Sequence, residues 1–366
     1  MDANQQIERT NTLFERVSSL IEQSRQYVTK AVNTAMVATY FGIGRYIIED
    51  EQEGQYRAAY GQGVLKELSQ KLTERFGKGW SVETLTKCRK FYNVYAISSN
   101  KQTKLATGSN SSPAETKSDL VTSGDEIQNK FVLPWTHYLI LMRIDNPEER
   151  RFYEIEAAKQ TWSKRQLQRQ VASSLYERLA LSRNKDEVMR LAQEGQSVEK
   201  PADIIKNPLT LEFLGLKPDS SYSESKLESA IIDKMQDFLL EMGKGFLFEA
   251  RQKRFTFDED NFFVDLVFYN RLLQCYVLID LKVEKLTHQD LGQMQMYVNY
   301  FDRYVRQEWE KPTIGILLCK SKSDALVELT LPKDTNIYAQ QYALCLPDKQ
   351  LLQSKLQEWL DELEER

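Results

Sequence analysis

Apolar residues recur at helical spacing from near the start of the chain to about Leu191, and from Phe246 onward they gather in runs of strand composition. A chain that changes its hydrophobic period in this way must build two cores, and 366 residues are enough for both. In the first half Leu13, Val17, Leu20, Ile21, Tyr27 and Val28 mark a helix from Ile7 to Val32, and helices continue through Ala35–Glu53 and Val64–Phe76. The pattern lapses from Ala96 to Lys130, where Ser, Thr, Asn and Lys dominate, so a flexible insertion is predicted over 96–130. It resumes at Leu133. A polar, proline-bearing stretch, 201–222, reads as a linker.

Beyond it a helix over about Ser223–Met242 leads to strands at Phe246–Phe257, Phe262–Asn270 and Leu273–Val283, with Asn270-Arg271 as a tight connection. A helix from about His288 to Arg306, strands Thr313–Cys319 and near Tyr338–Leu344, and a helix after Lys349 complete the chain. The predicted architecture is an all-helical domain over 1–200 followed by a mixed α/β domain over 223–366.

Two histidines, His137 and His288, and four cysteines without C-x-x-C spacing leave little for zinc or a histidine triad. With 53 carboxylates, any bound metal is expected to be a hard cation on oxygen ligands. An N-terminus lacking the apolar core of a signal peptide, and the absence of any apolar run near the roughly 20 residues that span a bilayer, point to the cytoplasm and away from membranes. The net charge of −4 is uneven: residues 1–95 carry +2, 135–200 carry +2, and 201–366 carry −8.

Within the helical half, Trp80-Ser81-Val82-Glu83-Thr84-Leu85 and Trp162-Ser163-Lys164-Arg165-Gln166-Leu167 share a signature, and Ser163 with Gln166 fits a capping box that starts a helix. The helices that follow are basic, with Lys87, Arg89 and Lys90 in one and Lys164, Arg165 and Arg169 in the other. A helix-turn-helix that grips DNA has this form; so does a helical hairpin packed for stability with solvated cations.

Charge interrupts the central strands of the second half. Asp265 breaks the apolar run Phe262–Phe268, and Asp280 and Lys282 break Val277–Val283. Alternation along a strand puts Asp280 and Lys282 on one face, with Cys275, Val277, Ile279 and Leu281 on the other. A carboxylate out of water needs a cation, a hydrogen-bond network or a metal. On the preceding helix Glu228 lies on the stripe of Ile232, Met235 and Leu239, and on the following helix Gln293 and Tyr297 stand one turn apart. Three carboxylates and a lysine at one sheet edge suit metal-dependent phosphodiester hydrolysis. Arg251, Lys253 and Arg254 lead toward this edge and either grip phosphate or line a solvated strand.

Together Leu227-Glu228, Phe246 to Arg254, Phe263 to Tyr269, Ile279-Asp280-Leu281-Lys282 and Gly292-Gln293-Met294-Gln295-Met296-Tyr297 resemble the PD-(D/E)xK nuclease domain of YhcG-type bacterial proteins. Tyr56 to Gly61, Leu133 to Tyr138 and Ser174 to Leu179 resemble the helical domain of unknown function that precedes it there. The resemblance implies a restriction-endonuclease-like mixed sheet flanked by helices and a nuclease acting on DNA, in defence against foreign DNA or in repair and recombination. It implies that Glu228, Asp265 and Asp280 bind Mg²⁺, with Mn²⁺ able to substitute, that Lys282 is the lysine of the D-x-K element, and that Gln293 and Tyr297 orient water or contact phosphate. A homodimer would serve to cut both strands, and the N-terminal domain would bind DNA or a protein partner. A non-cutting DNA-binding or scaffolding protein that keeps the fold is the alternative. One geometric problem stands: a two-residue turn at Asn270-Arg271 would put Asp265 opposite about Tyr276, several residues short of Asp280.

Overall fold

The computed structural model describes residues 3–53, 58–106, 131–181, 185–206, 208–217, 222–332 and 335–364. The chain divides into two compact units, 1–167 and 168–366. The first contains α1 (Ala3–Glu53), α2 (Ala58–Phe76), α3 (Val82–Ala106), α4 (Trp135–Leu141), α5 (Pro147–Lys159) and the start of α6 (Lys164–Ala172). The two N-terminal helices expected from the pattern are one helix, since nothing between Val32 and Ala35 breaks the backbone ladder. The expected insertion begins in helix too, because α3 runs on to Ala106; residues 107–130 lie outside the described part.

Val37 and Phe41 of α1 meet Phe91 and Tyr95 of α3 in an aromatic core that Phe131 and Tyr138 complete, the Phe91 ring centroid lying 5.0 Å from that of Phe131 and 5.2 Å from that of Tyr138. The α1–α3 crossing depends on Gly44: a Cβ there would lie 2.1 Å from the Cys88 carbonyl oxygen. The glycines of Gly42-Ile43-Gly44 thus belong to a helix, and Gly44 serves packing. At the head of α6, Ser163 Oγ accepts from the Gln166 amide N and Gln166 Oε1 from that of Ser163, the expected capping box.

In the second unit α7 (Leu175–Ala180) and α8 (Lys185–Glu194) precede β1 (Leu209–Thr210), α9 (Glu224–Asp233), α10 (Met235–Met242), β2 (Phe246–Phe257), β3 (Asp260–Asn270), β4 (Cys275–Lys285), α11 (His288–Tyr304), β5 (Ile314–Ser321), α12 (Asp324–Thr330), β6 (Ile337–Ala343) and α13 (Lys349–Glu364). The sheet order is β1-β6-β5-β4-β3-β2. Strands β2, β3 and β4 form an antiparallel meander, while α11 and α12 are the crossovers that make β5 and β6 parallel to β4. One face packs Leu227, Ile231 and Phe238 on Leu266, Phe268, Val277, Ile279 and Leu281. The other packs Met294, Tyr297, Val298 and Phe301 on Val267, Leu278 and Leu317.

Two boundaries differ from the sequence expectation. The predicted linker 201–222 contributes β1, which pairs with β6, and its Leu209 and Leu211 are core residues. The division between units falls inside α6 and not at residue 200, because Arg169 and Arg178 are tied to Glu241 of α10: Arg178 Nη1 lies 2.5 Å from Oε1 and Arg169 Nη1 2.9 Å from Oε2.

Candidate active site

The site forms where β3 and β4 part. The connection between them is four residues, Arg271–Gln274, and not the two-residue turn that the sequence suggests: Asn270 pairs with Cys275, Asn270 Oδ1 accepts from the Leu272 and Leu273 amides, and Gln274 takes φ 55°. The turn is thereby centred two residues further along the chain, which moves the register by four positions. The ladder ends at Leu266 with Ile279, and Asp265 and Asp280 are the next residue on each strand, where the two strands part. On the other side of β3, Arg251 pairs with Leu266 and Lys253 with Val264, which puts Gln252 opposite Asp265. Gln252, Asp265 and Asp280 therefore stand abreast on three adjacent strands.

Their contacts are specific. Asp265 Oδ2 accepts from the Leu281 amide at 2.8 Å, and its Oδ1 accepts from Gln252 Nε2 at 2.8 Å. The same Nε2 donates to Glu228 Oε2 at 2.9 Å, so one amide bridges the two acids. Glu228, buried on α9, also takes Arg251 Nε at 2.5 Å. Asp280 is buried, with Lys282 Nζ 2.8 Å from its Oδ2. That distance makes an ion pair, yet Oδ2 has no partner in hydrogen-bonding geometry. Burial, and then the charge of Asp265, push the Asp280 carboxyl up to about 7 against the pull of Lys282. Burial pulls the Lys282 ammonium down, but Asp280, Glu224 and Asp290 more than offset it, and its pKa lies above the ordinary lysine value. Tyr297 is pushed up to about 12 by burial and by Asp280, and accepts from Gln293 Nε2 at 2.5 Å.

Two neighbouring carboxylates, one of them buried against the Lys282 ammonium, are hard oxygen donors that fit a divalent cation. The three-acid set of Glu228, Asp265 and Asp280 is not gathered. Among the described residues no group of three or more His, Cys, Asp or Glu side chains is placed to hold a metal ion, and Glu228 is engaged by Arg251 and Gln252.

The sequence matches the YhcG PDDEXK nuclease domain over residues 202–357 and the DUF1016 N-terminal domain over 16–178. It is 36% identical over 351 residues to the protein named "Putative nuclease YhcG" of Escherichia coli (strain K12), covering 94% of this chain and 92% of that one. The chain belongs to the YhcG nuclease family. Among solved structures, a repair endonuclease from Pyrococcus abyssi aligns with 36% of this chain and 50% of its own, at 18% identity and a TM-score of 0.24, too slight a likeness to carry argument.

As in the PDDEXK fold, the YhcG domain here is a mixed sheet with helices on both faces, which matches the expected fold class. Of the residues expected to act, Asp265, Asp280 and Lys282 lie together on the inner strands β3 and β4, Tyr297 with its partner Gln293 is within electrostatic reach of all three, and Glu228 reaches them from α9 through Gln252. The basic residues are scattered. Arg251 is spent on Glu228, Lys253 pairs with Glu249 at 2.7 Å, and Arg254 donates to Asn261 Oδ1 at 3.0 Å. In the helical unit Lys87 pairs with Glu83 at 2.5 Å and Arg89 with Glu51 at 2.7 Å, while Lys90, Lys164 and Arg165 are exposed. Arg169 is no surface cation: 14% exposed, it pairs with Glu212 and Glu241 and lies over the Phe213 ring. No helix among the described residues is long and apolar enough to cross a membrane.

Sequence reasoning missed three residues. Glu224, one turn before Glu228, has its carboxyl raised by burial and by Asp265; its i−4 spacing was the available signal. Asp290, whose Oδ1 lies 3.7 Å from Lys282 Nζ, closes the capping box with Thr287 and was readable as T-x-x-D. Gln252 gave no signal, since a positive φ of 47° on a bulged strand is invisible in sequence.

Proposed function

We propose that this chain is a divalent-metal-dependent endonuclease that hydrolyses phosphodiester bonds of DNA. The observation that carries the reading is the juxtaposition of Asp265 and Asp280, the next residue on each strand beyond the last pair of the β3–β4 ladder, with Asp265 Oδ2 on the Leu281 amide and Lys282 Nζ 2.8 Å from Asp280 Oδ2. Asp265 and Asp280 are the residues that would hold the cation, Mg²⁺ in the cell with Mn²⁺ as a substitute. When bound, it would supply charge neutralisation at the phosphate and a more acidic water. Lys282, cationic throughout the neutral range, is aimed at the charge that builds on the phosphoryl oxygens. Gln293 and Tyr297, joined by their hydrogen bond, offer a donor and a hydroxyl to water or phosphate from α11. Glu228 is held in reserve by Arg251 and Gln252, and joins the set if those contacts are exchanged for a cation. The N-terminal unit is proposed to bind DNA or a protein partner, supported by exposed Lys90, Lys164 and Arg165 and by exposed Leu13, Phe14, Leu20 and Val28 along α1.

Incubation of the purified protein with supercoiled and branched DNA, with Mg²⁺ or with EDTA, tests the reading. Cutting should require the metal and fall by a factor of about 10² or more in Asp280→Ala. Cutting that persists in EDTA, or that survives the substitution, would overturn it. The non-cutting alternative rests on the capture of Glu228 by Arg251; it predicts DNA binding with no cleavage under any metal.

A further inference from the structure

The far end of the meander and the outer face of α11 enclose a groove of about 330 Å³. It is lined by Phe255, Phe257, Asn299, Tyr300, Arg303 and Tyr304. Aromatic side chains normally bury their rings, yet Phe257 is 50% and Tyr304 63% exposed, their rings tilted at 37° with centroids 6.4 Å apart. Beneath them Phe255 stacks on Tyr300 at 4.1 Å, a rigid floor. The floor touches the candidate active site directly, for the edge of Tyr297 packs on Phe255 at 5.5 Å.

A second observation points to an occupant. Gly292, which also lines the groove, sits in the first half of α11, where glycine weakens a helix. A Cβ at that position would meet nothing within 4 Å, so packing within the chain does not require the glycine. The space it leaves opens into the groove. Charge and polarity narrow the choice of ligand. Arg303 is exposed on the rim, and Gln295 and Asn299, whose amides bond at 3.2 Å, offer donors and acceptors to a planar heterocycle. The hairpin tip after Phe257, Asp258-Glu259-Asp260, is acidic and would repel an anionic backbone. Sites for small ring systems begin near 300 Å³, whereas a docked helix needs a long continuous trough.

We propose that this groove stacks an unpaired base of the strand whose phosphodiester lies at Asp280, which makes the favoured substrate single-stranded or branched nucleic acid. The inference rests on the nuclease reading. In a fully paired duplex no base face is available to Phe257 and Tyr304; in an unpaired strand each base has one.

The test is equilibrium binding of the full chain in EDTA, by fluorescence anisotropy, to a labelled 20-nucleotide single strand and to the blunt duplex of the same sequence. The wild type should prefer the single strand. Phe257→Ala/Tyr304→Ala, both exposed positions, should weaken single-strand binding by roughly tenfold or more and leave duplex binding within about twofold. Gly292→Leu, which fills the groove without removing a ring, should do the same. Equal losses on both ligands, or no loss in either variant, would overturn the groove proposal while leaving the nuclease reading intact. A wild type that binds neither ligand would sink the nucleic-acid reading itself.

Discussion

Glu241 shows what a charge must have around it to live in this core. It is fully buried on α10 between Arg178 and Arg169, with Lys206 Nζ on its own backbone carbonyl. Burial alone would raise its carboxyl, but Arg178, Lys206 and Arg169 win and hold it at about 2. A folded pKa below the unfolded value of 4.5 stabilises the native state fully above that value, and the benefit drains away as pH falls from about 4.5 towards 2. Chemical denaturation between pH 7 and pH 3 should show the loss, which reaches roughly 3 kcal/mol by pH 2. Glu241→Gln should remove most of this dependence and, by stranding Arg178, cost about 3–5 kcal/mol at pH 7. Gln252 is the opposite case, a residue that spends stability. Its left-handed backbone costs about 1–3 kcal/mol and holds one amide between Glu228 and Asp265. Gln252→Ala should therefore tighten binding of Ca²⁺, measured by calorimetry, about two- to tenfold, because the cation no longer competes with a hydrogen bond. Unchanged or weaker binding would show that the amide positions the acids and does not compete for them.

At the scale of elements, two helix glycines make opposite predictions. Gly44 lies where α1 crosses α3 and has no room for a methyl group, so Gly44→Ala should destabilise the helical unit by about 1–3 kcal/mol. Gly292 has room, and Gly292→Ala should stabilise α11 by about 0.5–1 kcal/mol. Thermal unfolding of both variants checks the pair, and a shift of the same sign in each would refute the packing argument. The sequence revealed the elements of the second unit better than their register. Asp265, Asp280 and Lys282 were legible because charges interrupt apolar strands, and α9 and α11 because of their periodicity. The meeting of Asp265 with Asp280 was not, since it depends on a four-residue connection set by the Asn270 side chain and by the backbone of Gln274. Strand β1 escaped notice because two residues carry no period, and the end of α3 because its Ser, Asn and Lys composition reads as loop. Tertiary pairing decides such segments, and local propensity does not.

The whole molecule joins an acidic nuclease unit to a helical unit that is basic in sequence, and some of those cations are already engaged. Lys87 and Arg89 are neutralised by Glu83 and Glu51, and Arg169 belongs to the buried network of the second unit. Of the six cations that the sequence singles out in the helical half, Lys90, Lys164 and Arg165 stay exposed for long-range attraction to DNA, beside other exposed bases such as Arg16, Lys66, Lys78, Arg143 and Arg151. Each phosphate contact releases condensed counterions, so each should add about 0.9 to the slope of log affinity against log salt on duplex DNA. Lys90→Ala/Lys164→Ala/Arg165→Ala in the full chain should reduce that slope by about 2–3, whereas Lys87→Ala/Arg89→Ala should change it by less than about 1. Fluorescence anisotropy on a duplex from about 50 to 200 mM NaCl measures both. Equal slopes for the triple variant and the wild type would show that these three side chains make no phosphate contact.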